Sequence, residues 1–420
     1  MSLSNWKYGS GICSLLAVFL FAGTLSAQTA PDSGKTAQPQ VSLDTFDYII
    51  GTQNIGTAYQ FTDQSLLIEG GEQILAMGSN MIKITMSPEY VKSHYAKEKD
   101  PNIQSLTDLA QMRDFKRLFA MPYSRYFIWT TAFSTHGKIT PWHGHMKPEV
   151  LADEYREVYA FTKHLLTAYN GTGKTFFLGN WEGDWMLLSG VPGRNDPAMK
   201  SKIDTAPDGP IGMIDWGVTR QRAVDDARRD TPHRNVQVWY YIECNQVLKS
   251  IREGRVSVAS SVLQAVNPDY VSFSSYDATN QNKDLNRDLP DALNYMQSRL
   301  KPKPGLPEKR VFIGEFGAPA RSFGPQQQSD RIREVSAAAI KWGTPFVLYW
   351  QLYNNEVKGT EQAGFWLIDN NNVRQPAFYM YQHYYADAKA YVADFTKKNN
   401  RPPTDNEFQN YAYKWLTSKH

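Results

Sequence analysis

Thr175-Phe176-Phe177-Leu178-Gly179-Asn180-Trp181-Glu182 and Arg310-Val311-Phe312-Ile313-Gly314-Glu315 share one pattern: a short apolar run, a glycine, then within three residues a glutamate. Apolar runs of this length bounded by turn-forming residues read as buried strands, so each glutamate stands where a strand ends. Similar runs over 48–50, 81–85, 126–131, 175–178, 236–242, 270–274, 310–313 and 346–349 give eight strands in all. Amphipathic stretches over 65–76, 106–119, 148–169, 215–230, 288–300 and 329–341 lie between them. Strands alternating with helices argue for a parallel sheet, and eight such units argue for closure into a (β/α)8 TIM barrel of the α/β class. In that architecture the strand ends converge on one face, and the two glutamates arrive there together. Gly78-Ser79-Asn80 ends a helix just before the second strand. The longest interruption, 190–212, is rich in Gly, Pro and Asp and reads as a loop shaping a cleft after the fourth strand. We place a single-domain barrel over 41–395 and a C-terminal helical extension over 396–420, with a break at Pro402-Pro403.

The 420 residues accommodate one such barrel, and the near-balanced charge of +3 with no basic block argues against a nucleic-acid partner. Aromatics at 13% of residues suit a carbohydrate binder, because sugars present C–H faces that stack on rings. Lys7 followed by the apolar segment 12–22 and the small residues Ser26-Ala27 predicts a signal peptide over 1–27. Its apolar segment is too short to span a bilayer, so the expectation is a secreted or periplasmic protein with no membrane association after cleavage. Residues 28–40 read as a disordered lead-in. Cys244 is then the one cysteine of the mature chain, which leaves core size rather than disulfides to stabilise it. Oligomeric state is not readable from the sequence.

A pair of carboxylates on one face can divide labour at a glycosidic bond, one protonating the departing oxygen and the other attacking the sugar. On these residues the chain resembles the clan A glycoside hydrolases, the barrel glycosidases related to cellulases, mannanases and β-galactosidases. In that clan an Asn-Glu pair ends strand four, a Glu ends strand seven and a Trp ends strand eight. The similar positions here are Asn180 with Glu182, Glu315, and Trp350 in Leu348-Tyr349-Trp350-Gln351. Ala76-Met77-Gly78-Ser79-Asn80-Met81-Ile82-Lys83 is similar to the clan's approach to strand two, with Lys83 where the clan usually has Arg. The resemblance implies an exported retaining glycoside hydrolase acting on β-linked poly- or oligosaccharides by double displacement, with no metal or organic cofactor. Glu315 is then the nucleophile and Glu182 the acid/base. Tyr276, in Phe273-Ser274-Ser275-Tyr276-Asp277, is the implied hydroxyl donor to the nucleophile, and Trp350 the floor under the scissile sugar.

One departure from the clan pattern is Trp181, which separates Asn180 from Glu182. Strand alternation would still point Asn180 and Glu182 to one side. Asp184, two residues further on, is a rival acid. Trp181 and Trp185 flank Glu182 and are expected at the substrate, as are Glu243 and Asn245 at the end of strand five. Trp142, Trp216 and Trp366 are candidate rings for further subsites. Two other readings use the same chain: a metal-dependent barrel hydrolase built on His136 and His143-Gly144-His145, and a barrel that binds glycans without cleaving them.

Overall fold

The computed structural model describes residues 43–92, 100, 102–140, 142–194 and 203–418. The expected signal peptide and lead-in lie outside the described residues. Eight strands form a closed barrel in chain order. They are β1 (Ile50–Gln53), β2 (Met81–Met86), β3 (Arg125–Thr130), β4 (Lys174–Gly179), β5 (Val236–Cys244), β6 (Tyr270–Ser274), β7 (Val311–Phe316) and β8 (Val347–Tyr349). Every neighbouring pair is parallel, and β1 closes the circle against β8. The (β/α)8 reading therefore holds.

Two hydrophobic cores follow from the two-residue period of a strand. Tyr126, Ile128, Phe176, Leu178, Tyr240 and Ile242 face outward and pack under the helices. Their alternates Phe127, Phe177, Tyr241, Phe312 and Leu348 fill the barrel interior. Phe127 and Phe177 stack with ring centroids 4.5 Å apart, and Phe346 meets Phe127 edge-on at 5.0 Å. The next inward positions along the same strands are Lys83, Trp129, Glu243, Ser272 and Gly314, so an aromatic floor carries a polar layer above it.

β7 breaks this alternation. Ser272 pairs with Phe312 and Phe273 with Ile313, but Ser274 pairs with Glu315, which leaves Gly314 as an extra residue. A bulge of this kind re-aims the side chains beyond it. Phe316 consequently joins the outer core and Glu315 turns toward β6.

The helices differ from expectation in several places. The stretch 106–119 is two helices, Leu106–Gln111 and Arg113–Ala120, separated by an extended Met112. The break resets the helical phase, so that Leu109 and Phe115, which a continuous helix would turn to different faces, are both buried. The helix expected from 215 starts at Gly209, because Pro210 and its neighbours begin a helix as readily as they break one. A short helix, Gly183–Leu187, follows Glu182 directly. The helix Pro376–Asn399 runs through residue 395, and the last helix, Asp405–Thr417, is capped by Thr404 with Glu407.

The ends of β3 and β4 are fixed from outside by a buried ion pair. Arg220 Nε lies 2.7 Å from Glu154 Oε1, with each side chain 1% exposed. The same Glu154 oxygen accepts Trp216 Nε1 at 3.0 Å, and its other oxygen accepts Thr135 Oγ1. Arg220 Nη2 reaches the Thr130 carbonyl at 2.8 Å, and Thr130 Oγ1 donates to the Gly179 carbonyl at 3.1 Å. Removing one partner of a buried pair strands the other charge, so Glu154→Ala should cost about 3–5 kcal/mol in a denaturant titration.

Candidate active site

β4 ends at Gly179, and the chain then turns so that Asn180 and Glu182 both lie against β5. The Glu182 amide donates to Glu243 Oε1 at 3.0 Å. Its carboxylate accepts Ser274 Oγ at 2.7 Å. Ser274 is the residue opposite Glu315 in the β6–β7 ladder. One serine thus joins the two expected carboxylates: it hydrogen-bonds the first and pairs with the second.

Glu315 is 5% exposed. Lys83 Nζ stands 4.0 Å from its Oε2, and the Tyr276 hydroxyl hydrogen-bonds the carboxyl. Burial pushes the Glu315 carboxyl well above the usual carboxylate range, and Lys83 pulls against it. The negative charges of Glu182 and Glu243 push it up further, while the Tyr276 hydrogen bond lowers it. Carboxylates coupled in this way share protons rather than ionising independently. Burial, followed by the charges of Glu315 and Glu182, raises the Tyr276 phenol well above its ordinary value, so it remains a donor.

Beneath the pair lies a fully buried cluster. Lys83 Nζ donates to Glu243 Oε2 at 2.8 Å and to the Gly314 carbonyl at 2.9 Å, and sits 4.0 Å from the centre of the Trp129 ring. Ser272 Oγ donates to Glu243 Oε2 at 2.6 Å. The expectation that Glu243 meets substrate meets a different geometry: its side chain has no exposed surface, and both oxygens are engaged by protein donors.

Asn180 is likewise turned to the protein. Its Oδ1 accepts the Glu243 amide at 3.4 Å and its Nδ2 donates to the Trp181 carbonyl at 3.1 Å. Asp184, the rival acid, is a clamp. It accepts the amides of Asn245 at 2.8 Å, Gln246 at 3.1 Å and Val258 at 2.8 Å. Asn245 Oδ1 in turn accepts the Asp184 amide at 3.0 Å, so the helix after Glu182 is locked to the end of β5. Trp181 points outward, 43% exposed, whereas Trp185 is half-buried with Lys249 Nζ 6.0 Å from its ring. Trp350 is buried in the barrel mouth, its ring 6.0 Å from that of Trp129.

Trp142 and Trp216 pack against each other at 5.8 Å in the outer core and are removed from this face, while Trp366 adjoins Phe365 at the interior cluster. His136, His143 and His145 each face a different carboxylate, Glu89 at 3.3 Å, Asp208 at 3.6 Å and Asp215 at 2.9 Å. Among the described residues no group of three or more His, Cys, Asp or Glu is placed to hold a metal ion, and no helix is long and apolar enough to cross a membrane. Sequence reasoning did not find Ser272, Ser274 or Trp129. Their signal was parity, since all three fall on the inward phase of their strands.

No known protein-family profile and no curated protein sequence matches this chain. Solved structures do. A family 39 glycoside hydrolase from the gut symbiont Bacteroides cellulosilyticus WH2 superposes with a TM-score of 0.53 at 10% identity, covering 84% of this chain and 66% of that one. A GH5_18 protein from Bifidobacterium longum subsp. infantis gives 0.53 at 13% identity, covering 80% of this chain and 78% of that one. A GH5_18 variant from Streptomyces cattleya, in complex with Manβ1-4GlcNAc, gives 0.52 at 11% identity, covering 84% and 82%. At such identities the likeness is one of fold, a (β/α)8 barrel that this chain shares with those glycoside hydrolases.

Asp277, next to Tyr276, carries its own pH signature. Oδ2 accepts the Leu248 amide at 2.8 Å, but Oδ1 is buried without a hydrogen-bond partner. Burial, with Asp184 adding to it, raises its pKa from 3.8 to about 7. A carboxyl raised in the folded state stabilises below its unfolded pKa, and that contribution is lost as pH climbs through the folded value. Asp277→Asn should therefore leave the melting temperature nearly unchanged at pH 4 and raise it at pH 8, read by thermal melts across that window.

Proposed function

We propose that the chain is an exported retaining glycoside hydrolase that cleaves β-linked oligo- or polysaccharides with Glu315 as nucleophile and Glu182 as acid/base. The observation that carries this reading is the Ser274 bridge: two buried glutamates, one after β4 and one on β7, share one end of the barrel, and Glu315 stands beside the Lys83 ammonium and the Tyr276 hydroxyl. Those two groups favour the charged form of Glu315 against the burial that raises it, so Glu315 is the member of the pair to attack and Glu182 the member to carry the proton once substrate is bound.

In the first half-reaction a Glu315 oxygen forms a bond to the anomeric carbon as the bond to the departing oxygen breaks, and Glu182 gives that oxygen its proton. Glu315 is then an uncharged ester. The repulsion between the two carboxyls is gone, and Glu182, now a carboxylate, takes a proton from water. The water oxygen bonds to the anomeric carbon, the ester bond breaks, and Glu315 returns as a carboxylate. Configuration is retained because the carbon inverts twice.

Trp350, at the barrel mouth with Trp129 behind it, supplies the stacking surface for the sugar that is cleaved. Trp181, exposed beside the acid, offers its ring to the departing group. The centre holds three carboxylates and one ammonium, which suits neutral sugars better than uronic acids. The structural neighbour bound to Manβ1-4GlcNAc points to the same class of β-linked neutral oligosaccharide.

Turnover of aryl β-glycosides and β-glycan polymers tests the reading. Glu315→Gln should lose essentially all turnover while keeping the fold. Glu182→Ala should lose roughly 10²- to 10⁴-fold on substrates with poor leaving groups and far less on activated aryl glycosides, with azide restoring part of the rate. Azide rescue of neither variant would show the roles to be misassigned.

A further inference from the structure

We infer that Glu243 is a positioning residue for both carboxylates, one oxygen holding the backbone of Glu182 and the other holding Lys83 against β7. The inference rests on Glu182 and Glu315 as acid/base and nucleophile. Glu243 Oε1 accepts the Glu182 amide at 3.0 Å, and Oε2 accepts Lys83 Nζ at 2.8 Å and Ser272 Oγ at 2.6 Å. Lys83 in turn donates to the carbonyl of Gly314, the residue before the nucleophile, at 2.9 Å and stands 4.0 Å from Glu315 Oε2. Glu243 is thus one hydrogen bond from the acid's own backbone and two from the nucleophile's.

The two segments press on Glu243 with no side chain intervening. A Cβ at Gly314 would lie 1.7 Å from Ser272 Oγ and 3.1 Å from Glu243 Oε2. A Cβ at Gly183 would lie 2.7 Å from the Glu243 carbonyl oxygen. Only glycine permits either approach. With no exposed surface, Glu243 reaches no sugar. Its chemistry is that of a double acceptor: a backbone amide, an ammonium and a hydroxyl all point at it, and the ammonium additionally needs a buried counter-charge.

Glutamine has the same shape but one acceptor oxygen and no charge. Whichever way its amide turns, Glu182 or Lys83 meets a donor in place of an acceptor. Glu243→Gln should lower kcat by about 100-fold, the scale of a small misplacement of reacting groups. KM should stay within about twofold, because Glu243 does not touch substrate. Loss of the Glu243 charge also lets Glu315 ionise more readily, so the acidic limb of the kcat/KM profile should move to lower pH.

An unchanged kcat and pH profile, or a loss confined to KM, would overturn the inference. Circular dichroism establishes whether the variant folds. If it does not, Ser272→Ala, which removes one donor and keeps the charge, serves instead. A reduced kcat at unchanged KM supports positioning, and a wild-type kcat and pH profile overturns it. Glu315→Gln in the same assays separates the two levels. If it retains turnover, the assignment of the pair is wrong. If it is inactive while Glu243→Gln behaves as wild type, only the positioning role fails.

Discussion

The Lys83 ammonium stands in the middle of the barrel with no exposed surface, and the rest of the upper layer is arranged around that charge. Desolvating an ammonium costs several kcal/mol unless compensated. Here the compensation is complete: a carboxylate from β5, a carbonyl from β7 and the face of an indole from β3. The arrangement works in the other direction as well. Glu182, Glu243 and Glu315 would repel one another in a dry interior, and a cation among them allows all three to converge. A hydrophobic residue at position 83 would leave the floor intact and the layer above it without a centre.

The second constraint is the extra residue in β7. Strict alternation from Phe312 would turn Gly314 and Phe316 inward and Glu315 outward, beneath the helices. By leaving Gly314 unpaired, the strand turns Glu315 inward beside it and sends Phe316 to the outer core. Gly314 also leaves the space that Ser272 occupies, so one glycine serves the aim of Glu315 and the packing of the cluster below it.

The barrel was legible because its signal is repetitive. Eight apolar runs of similar length, separated by amphipathic stretches, leave few other topologies, and strand positions were displaced by no more than a few residues. The two glutamates were legible because an acid at the end of an apolar run is unusual. What the sequence concealed depends on pairing across strands. Glu243 and Asn245 look like open polar residues at a strand end, yet one is enclosed by Lys83 and Ser272 and the other is bound to Asp184. Trp142 and Trp216 look the same in sequence as Trp350, and only the fold separates a ring under a helix from a ring in the barrel mouth. The helix from Gly209 was hidden by residues that both start and stop helices.

The stacked rings of Phe127 and Phe177, packed against Phe346 and Phe312, have a consequence for the charges above them. They fill the lower half of the barrel with hydrocarbon, which screens a charge far less than water does. A proton gained or lost by one carboxyl of the polar layer is therefore felt by its neighbours more strongly than the same event would be at the surface. The dry floor makes the layer above it respond as a unit.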